Sequence, residues 1–396
     1  MKPLQGIRVL DVSTVIAGPT CCQILGDFGA DVIKVEQPGA GDPLRGHGAA
    51  VNGTSLWWKV LGRNKRSIGL DLRTPDGARL LRELAASADI LVESFRPGTL
   101  ARWGLGAAEL RESNPGLVIV RISGFGQSGP YAARPGFGTL AEAMSGFAEL
   151  TGNADDPPTL PAFGLADSIC GIAASTAALL ALRHREETGV GQDVDLSLIE
   201  PMLAVVGPGP TAYDALGVVD TRHGNRSTNN APRNTYLTRD DRWVAVSAST
   251  MNIARRVLTL VGHATVTEQP WFATSGGRAA HADEIDRLVG AWIAAHPLAE
   301  VMTAFETAGA AIAPVYSARD IVDDPHVRAT GMLVRVADPV DGPMLMPNVM
   351  WRMSRTPGAV EFAGRPLGSD TDAILTGELG HPPETVARWR ASAVVA

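Results

Sequence analysis

Short β-rich apolar runs alternate with stretches of helical length over the first third of the chain, and this alternation restricts the fold more than any other feature. Residues 7–12 and 32–36 are such runs. Between them, Gly18-Pro19 opens a helix-like stretch over residues 20–29 that closes on glycine. The spacing predicts a βαβ unit, because parallel strands need a crossover of about this length. The pattern repeats, with a strand at 67–72, a helix at 75–87, a strand at 89–93, a helix near 107–112 and a strand at 117–122. The fold class expected is α/β, a mostly parallel sheet covered on both faces. In such sheets ligands collect beyond the carboxyl ends of the strands.

Further along, residues 167–185 read as an alanine-rich helix ending in Arg183-His184-Arg185, and residues 192–198 as a strand. The character changes near residue 222. Residues 223–234 are polar and loop-like, 235–247 read as a hairpin around Arg239-Asp240-Asp241, and helices are expected at 251–262, 280–295 and 298–309. The expected organisation is a large domain from residues 1–224, a smaller α+β domain at 225–325, and a return segment, 326–396, that completes the large domain. A chain of 396 residues suits two or three domains.

With 45% hydrophobic and 19% charged residues, the chain can bury a large core. A net charge of -7 argues against nucleic acid as a partner, since phosphate contacts need a basic surface. The longest apolar stretch, 169–182, is interrupted by Gly171, Ser175 and Thr176 and falls short of a membrane span. Asp11 breaks the apolar character behind Lys2 and Arg8, so no signal peptide is expected. Cys21, Cys22 and Cys170 make no disulfide framework, which suits the cytoplasm; the first two are expected to be small packing residues. No Cys/His spacing resembles a metal site.

Three features bear on chemistry. Asp167 stands at a helix start after Phe163-Gly164-Leu165-Ala166, where backbone N–H groups and the helix dipole favour an ionised carboxylate. Aspartate is a common plain helix cap, and most aspartates at such a position do nothing else. Lys65, Arg66, Arg73, Arg96 and Arg102 lie near predicted strand ends and could grip phosphates. Taken singly, each also reads as an ordinary cationic surface residue. Gly124-Phe125-Gly126-Gln127-Ser128-Gly129 leads into Pro130 rather than a helix, and Ala17-Gly18-Pro19 lacks the three-glycine pattern. Glu36 could suit a ribose but has no such glycines beside it, so a nicotinamide cofactor is not expected.

The motifs themselves resemble a known family. Pro3-Leu4-Gln5-Gly6-Ile7-Arg8-Val9-Leu10-Asp11, Ala17-Gly18-Pro19 and Gly29-Ala30-Asp31-Val32-Ile33-Lys34-Val35-Glu36 look like the opening of the family III CoA-transferases, the formyl-CoA transferase and carnitine CoA-transferase group. Val92-Glu93-Ser94-Phe95-Arg96-Pro97-Gly98, Ser123-Gly124-Phe125-Gly126, Gly164-Leu165-Ala166-Asp167, Gly189-Val190-Gly191-Gln192 and Pro366-Leu367-Gly368 continue the likeness almost end to end. The resemblance implies a Rossmann-like large domain, a small domain and an interlocked homodimer. It places the nucleophile at Asp167 and coenzyme A contacts at Ala17, Leu70, Arg73, Ser94, Phe95, Arg96 and Arg102. Where formyl-CoA transferase has a glutamine this chain has Ile16, its adenine-side arginine aligns with Gln37, and its active-site tyrosine aligns with Phe137. Asn229-Asn230-Ala231-Pro232 replaces its small-domain glycine loop, so formate and oxalate are not the expected substrates.

The implied activity is CoA transfer between acyl-CoA and a small carboxylic acid, through an aspartyl anhydride and an aspartyl-CoA thioester, with coenzyme A as substrate and no permanently bound cofactor. Arg233 and Asn230 could hold a second carboxylate, which would suit succinyl-CoA and dicarboxylic acids. Two alternatives compete. An α-methylacyl-CoA racemase would need a histidine where Phe137 stands. A non-catalytic acyl-CoA binding protein would leave Asp167 at the motif position unexplained.

Overall fold

The computed structural model describes residues 2–396. The chain forms two compact units: one holds the chain up to Phe147 with Pro161–Gly207 and His326–Ala396, the other Ala148–Leu160 with Pro208–Pro325. The expected small domain, 225–325, falls within the second unit. That unit starts earlier, at Pro208, and takes in a separate stretch, Ala148–Leu160.

The first unit is built on β1 (Arg8–Asp11), α1 (Ala17–Asp27), β2 (Asp31–Glu36), β3 (Lys65–Gly69), α2 (Pro75–Ala85), β4 (Ile90–Glu93) and β5 (Val118–Ser123). It continues through α3 (Gly138–Met144), α4 (Leu165–Thr188), β6 (Asp193–Ser197) and α5 (Ile199–Val206). The six strands form one parallel sheet in the order β3-β2-β1-β4-β5-β6. The order reverses beside β1, so a crevice opens beyond the carboxyl ends of β1 and β4.

Alternate residues of each strand feed two cores, as a sheet covered on both faces requires. Leu10, Ile33, Ile68, Leu91 and Ile119 pack with Leu80, Leu81 and Leu84 of α2. Val9, Val32, Val92, Val118 and Val120 pack with Cys21 and Cys22 of α1 and with Cys170, Ala174 and Ala178 of α4. All three cysteines are buried packing residues.

At 24 residues, α4 is longer than the 169–182 stretch suggested, and by length and composition alone it could cross a bilayer. Its buried face, Cys170 to Leu182, lies in the sheet core instead. It ends at Gly189, whose left-handed backbone (φ 75°) stops the helix.

The second unit contains α6 (Gly209–Leu216), β7 (Arg233–Leu237), β8 (Trp243–Ser247), α7 (Met251–Leu260), α8 (Ala282–Ala294), α9 (Leu298–Thr307) and β9 (Ile312–Pro314). β7 and β8 form the expected hairpin, Val244 opposite Tyr236, and β9 extends it to a three-stranded antiparallel sheet. Its core gathers Val244, Val246, Val257, Phe272, Ile285, Val289 and Phe305.

The return segment contributes β10 (Leu333–Val336) paired with β11 (Met344–Pro347), and then α10 (Pro383–Ala391), which the turn-rich sequence of the tail did not suggest. Ile374, Leu375, Val386 and Trp389 enter the first unit's core, and the Asp71 N–H donates to the Val394 carbonyl.

Candidate active site

Asp167 lies in the first turn of α4, where the sequence places it. Its carboxylate rests against the start of α3: a Cβ built on Gly138 would stand 2.3 Å from Asp167 Oδ2. Only glycine leaves that space open. The first N–H groups of a helix have no intrahelical partner. The cap position here, Gly164, has no side chain to offer, and Ala166 N–H donates instead to Oε1 of buried Glu142 at 3.1 Å. The sequence suggests that the helix dipole keeps the Asp167 carboxyl acidic. The opposite holds: burial first, and the Glu142 charge second, push its pKa up to about 6. At neutral pH it is still mostly ionised, and more basic than an ordinary aspartate.

The segment from Asp11 to Ala17 leads from the end of β1 towards this turn. Ile16 meets it directly, its Cδ1 lying 2.9 Å from where a Cβ on Gly164 would stand. Val15 has a left-handed backbone (φ 68°), an uncommon state for a β-branched residue and one found where surrounding structure enforces it. The enforcement is visible. Val15 N–H donates to Asp42 Oδ1 at 3.1 Å, and Thr14 N–H to Ser94 Oγ at 2.9 Å. Lys34 pairs with Asp42 at 2.9 Å and Asp11 at 3.4 Å, and it donates to the Ser13 carbonyl. Lys65 donates to Asp11 Oδ2 and to the Pro19 carbonyl, both at 2.8 Å. Burial would raise the Asp11 pKa, but Lys34 and Lys65 outweigh it and hold the carboxyl at about 2.

A cleft of about 240 Å3 opens at the carboxyl ends of the strands, lined by Thr14, Gln37, Pro43, Leu70, Arg73, Phe95 and Trp103, among others. Three residues suggested for coenzyme A, Leu70, Arg73 and Phe95, meet here. Phe95 packs edge-to-face on Trp103 with ring centres 5.3 Å apart. Ala17 is buried at the start of α1, and Ser94 holds Thr14; neither lines the cleft. Arg96 and Arg102 are exposed outside it. Arg102 donates to Thr99 at 2.9 Å, and the Arg96 guanidinium has no partner among the described residues. Arg73 is already clamped by Asp71 through two 2.8 Å hydrogen bonds.

Two of the expected phosphate grips are structural. Lys65 and Arg66 open β3, so their backbone sits at the amino end of the strand and both side chains are already paired. Lys65 is buried on Asp11, and Arg66 pairs with Asp31 and Glu378. Glu36 lines the cleft, but Arg45, Ser67 and the Asp42 N–H saturate its carboxylate. Gly124 and Gly136 serve close packing, since a Cβ on either would stand 2.5 Å from the other's Cα. Phe137, at the racemase histidine position, is 69% exposed just before α3.

In the second unit, Arg233 donates to the Arg226 and Asn225 carbonyls at 2.8 and 3.3 Å, and Asn230 donates to Ser249 at 3.3 Å. Trp103, Pro43, Thr14 and Glu142 were not singled out from the sequence. Trp103 and Glu142 carry the most weight, and only an isolated aromatic and a lone acid between Ala141 and Ala143 marked them.

Comparison with known proteins bears directly on this geometry. The chain is 40% identical over 395 residues to succinyl-CoA--D-citramalate CoA-transferase of Chloroflexus aurantiacus, covering 100% of this chain and 98% of that one. It is 39% identical to the beta subunit of succinyl-CoA--L-malate CoA-transferase from the same organism, over 99% of this chain and 98% of the other. A crystal structure of a CAIB/BAIF family protein from Brucella suis superposes with a TM-score of 0.83 at 31% identity, covering 95% of this chain and 99% of that one. The sequence pattern of CoA-transferase family III matches residues 4–371. The chain therefore belongs to CoA-transferase family III and is an enzyme of that class.

Proposed function

We propose that this enzyme moves coenzyme A from succinyl-CoA to a four- or five-carbon dicarboxylic acid, with Asp167 as covalent nucleophile. The observation that carries the reading is the Asp167 carboxylate: set against bare Gly138, with its pKa raised to about 6, and without a hydrogen-bond or ion-pair partner among the described residues. A structural carboxylate would be paired, as Asp11, Asp27 and Glu36 are. The D-citramalate and L-malate named for the two Chloroflexus aurantiacus relatives support a dicarboxylic acceptor.

The chemistry follows from an ionised carboxylate and a thioester. Asp167 attacks the donor carbonyl, forming an anhydride and expelling CoA thiolate. The thiolate attacks the Asp167 carbonyl, giving an aspartyl-CoA thioester and releasing succinate. The acceptor carboxylate then attacks that thioester, forming a second anhydride and freeing CoA thiolate again. Attack of the thiolate on the new acyl carbonyl yields the product acyl-CoA and restores the Asp167 carboxylate. Incubation with succinyl-CoA, trapping with hydroxylamine or borohydride and peptide mass spectrometry should mark the peptide containing Asp167. Label on any other side chain would contradict the reading.

Coenzyme A occupies the cleft of Leu70, Arg73, Phe95 and Trp103, with Arg96 and Arg102 reaching its phosphates from outside the cleft. Arg96 gives the cleanest test, because its guanidinium breaks no internal bond when removed. A charge-assisted contact is worth about 1.5–3 kcal/mol. Arg96→Ala is therefore expected to weaken CoA binding about tenfold or more by calorimetry, with an unchanged melting temperature.

The enzyme works as a homodimer. In the first unit, Leu180, Val205 and Met144 are 50–68% exposed, and in the second, α6 buries none of its residues. Apolar surface of this kind marks an interface. Sedimentation velocity at micromolar concentration is expected to show a dimer; a folded monomer would overturn this.

A further inference from the structure

We infer that Glu142 is a positioning residue for acyl transfer: its carboxylate anchors the first turn of α4 and so sets the Asp167 carboxylate over the open face of Gly138. The inference rests on the reading of Asp167 as nucleophile and adds a residue to it.

A helix start is ordinarily capped by a serine, threonine, aspartate or asparagine at the residue before its first turn. Here that residue is Gly164, which has no side chain to cap with, and Ile16 crowds the place where one would start. A Cβ there would stand 2.9 Å from Ile16 Cδ1 and 3.4 Å from Asp167 Oδ2. The cap therefore has to come from elsewhere in the fold, and α3 supplies it: Glu142 Oε1 accepts the Ala166 N–H at 3.1 Å. Burying a carboxylate is costly unless it is hydrogen-bonded. A mere packing position between Ala141 and Ala143 would be filled more cheaply by an apolar side chain.

Gly138 is four residues before Glu142, one turn along the same helix face. A single turn of α3 thus presents the bare backbone on which Asp167 rests and the carboxylate that fixes the preceding peptide. Moving α4 by a fraction of an ångström would move both contacts together.

The charged and titratable groups around Asp167 are few. Glu142 approaches from α3, and its charge adds to burial in raising the aspartate. On α4 itself, Cys170 is buried and its thiol is pushed up, by burial foremost. Cys21 of α1 and Glu200 of α5 bear on Cys170, and Glu200 is engaged by Ser197. Removing the Glu142 charge lowers the Asp167 pKa, so the acid limb of the rate profile moves to lower pH.

Glu142→Gln keeps an acceptor oxygen for Ala166 and deletes the charge; Glu142→Ala deletes both. For Glu142→Ala, kcat is expected to fall about 10–100-fold, the cost of a small misplacement of a reacting group, with KM for succinyl-CoA nearly unchanged. For Glu142→Gln, kcat at pH 8 is expected within about threefold of wild type, with the acid limb displaced downward. Carbon-13 NMR titration of the Asp167 carboxyl in the resting enzyme should show the same displacement. Wild-type kcat in Glu142→Ala overturns the inference. Should Glu142→Ala fail to fold, Glu142→Met, which fills the space but cannot accept from Ala166, takes its place, and wild-type kcat there overturns the inference equally. If Asp167→Ala still transfers CoA, the nucleophile reading falls and this inference with it. An inactive Asp167→Ala combined with wild-type kcat in the Glu142 variant removes the role of Glu142 only.

Discussion

Asp167→Ala is expected to fold like the wild type and to transfer coenzyme A at least about 10³-fold more slowly, because on the proposed route both anhydrides and the thioester between them form on the deleted carboxylate. Cys170, three residues on, offers no substitute: it is buried and its thiol is held protonated. Cys170→Ala is expected to keep most activity in the same assay. Asp167→Asn adds a readout independent of turnover. The folded carboxyl titrates near 6 against an ordinary 3.8, so between about pH 4 and 6 the folded protein holds a proton that the unfolded chain has released. Stability falls as pH rises through that window. An asparagine lacks this loss. Asp167→Asn should therefore melt about 2 °C above wild type at pH 8, with the gap closing towards pH 4. Thermal melts across that range check the sign, and a gap that does not close would mean that Asp167 titrates normally.

The parallel sheet was legible because each strand carries its own apolar run and each crossover its own helical stretch. β1, β2, β4 and β5 lie within about two residues of the ranges that the pattern predicts. Asp167 was legible as a helix start, and its family motif then gave it a role. What surrounds Asp167 was not. α3 is seven residues long and follows the glycine-rich stretch, too short for a 3.6-residue period to show, and it holds both Gly138 and Glu142. Lys65 and Arg66 misled for a directional reason. A cation before a parallel strand lies at the amino end, whereas ligands bind at the carboxyl end. Trp103 and Pro43 reach the cleft from loops after different strands, and no local pattern in a sequence records such a meeting. The stretch Ala148–Leu160 joins the second unit across a gap of 47 residues in the chain, which composition cannot reveal.

Asp11→Ala carries the largest expected cost to stability, about 3–5 kcal/mol, the range for removing one partner of a buried ion pair. Asp11, Lys34 and Lys65 have side chains at most 1% exposed. Without Asp11, Lys34 still has Asp42, but Lys65 keeps only the Pro19 carbonyl for its charge. An ammonium buried that way must either lose its proton or draw water into the core beneath α1. Ser13 would also lose the Asp11 oxygen that accepts both its hydroxyl and its N–H, at 2.5 and 3.2 Å. The segment that carries Val15 and Ile16 to Gly164 would then be held by Asp42, Ser94 and the Lys34 bond to the Ser13 carbonyl. The damage should accordingly reach the site: protein that still folds is expected to bind coenzyme A more weakly, although Asp11 does not line the cleft. The contribution also depends on pH. With its folded pKa near 2, below the ordinary 3.8, Asp11 stabilises fully above about pH 4 and loses that effect as pH falls towards 2. Urea unfolding of wild type and Asp11→Ala at pH 7 measures the difference, and a loss under about 1 kcal/mol would show that Lys65 finds another partner. Pairing Asp11→Ala with Lys65→Met should recover part of the loss, because the second change removes the stranded charge while keeping the volume of its stem.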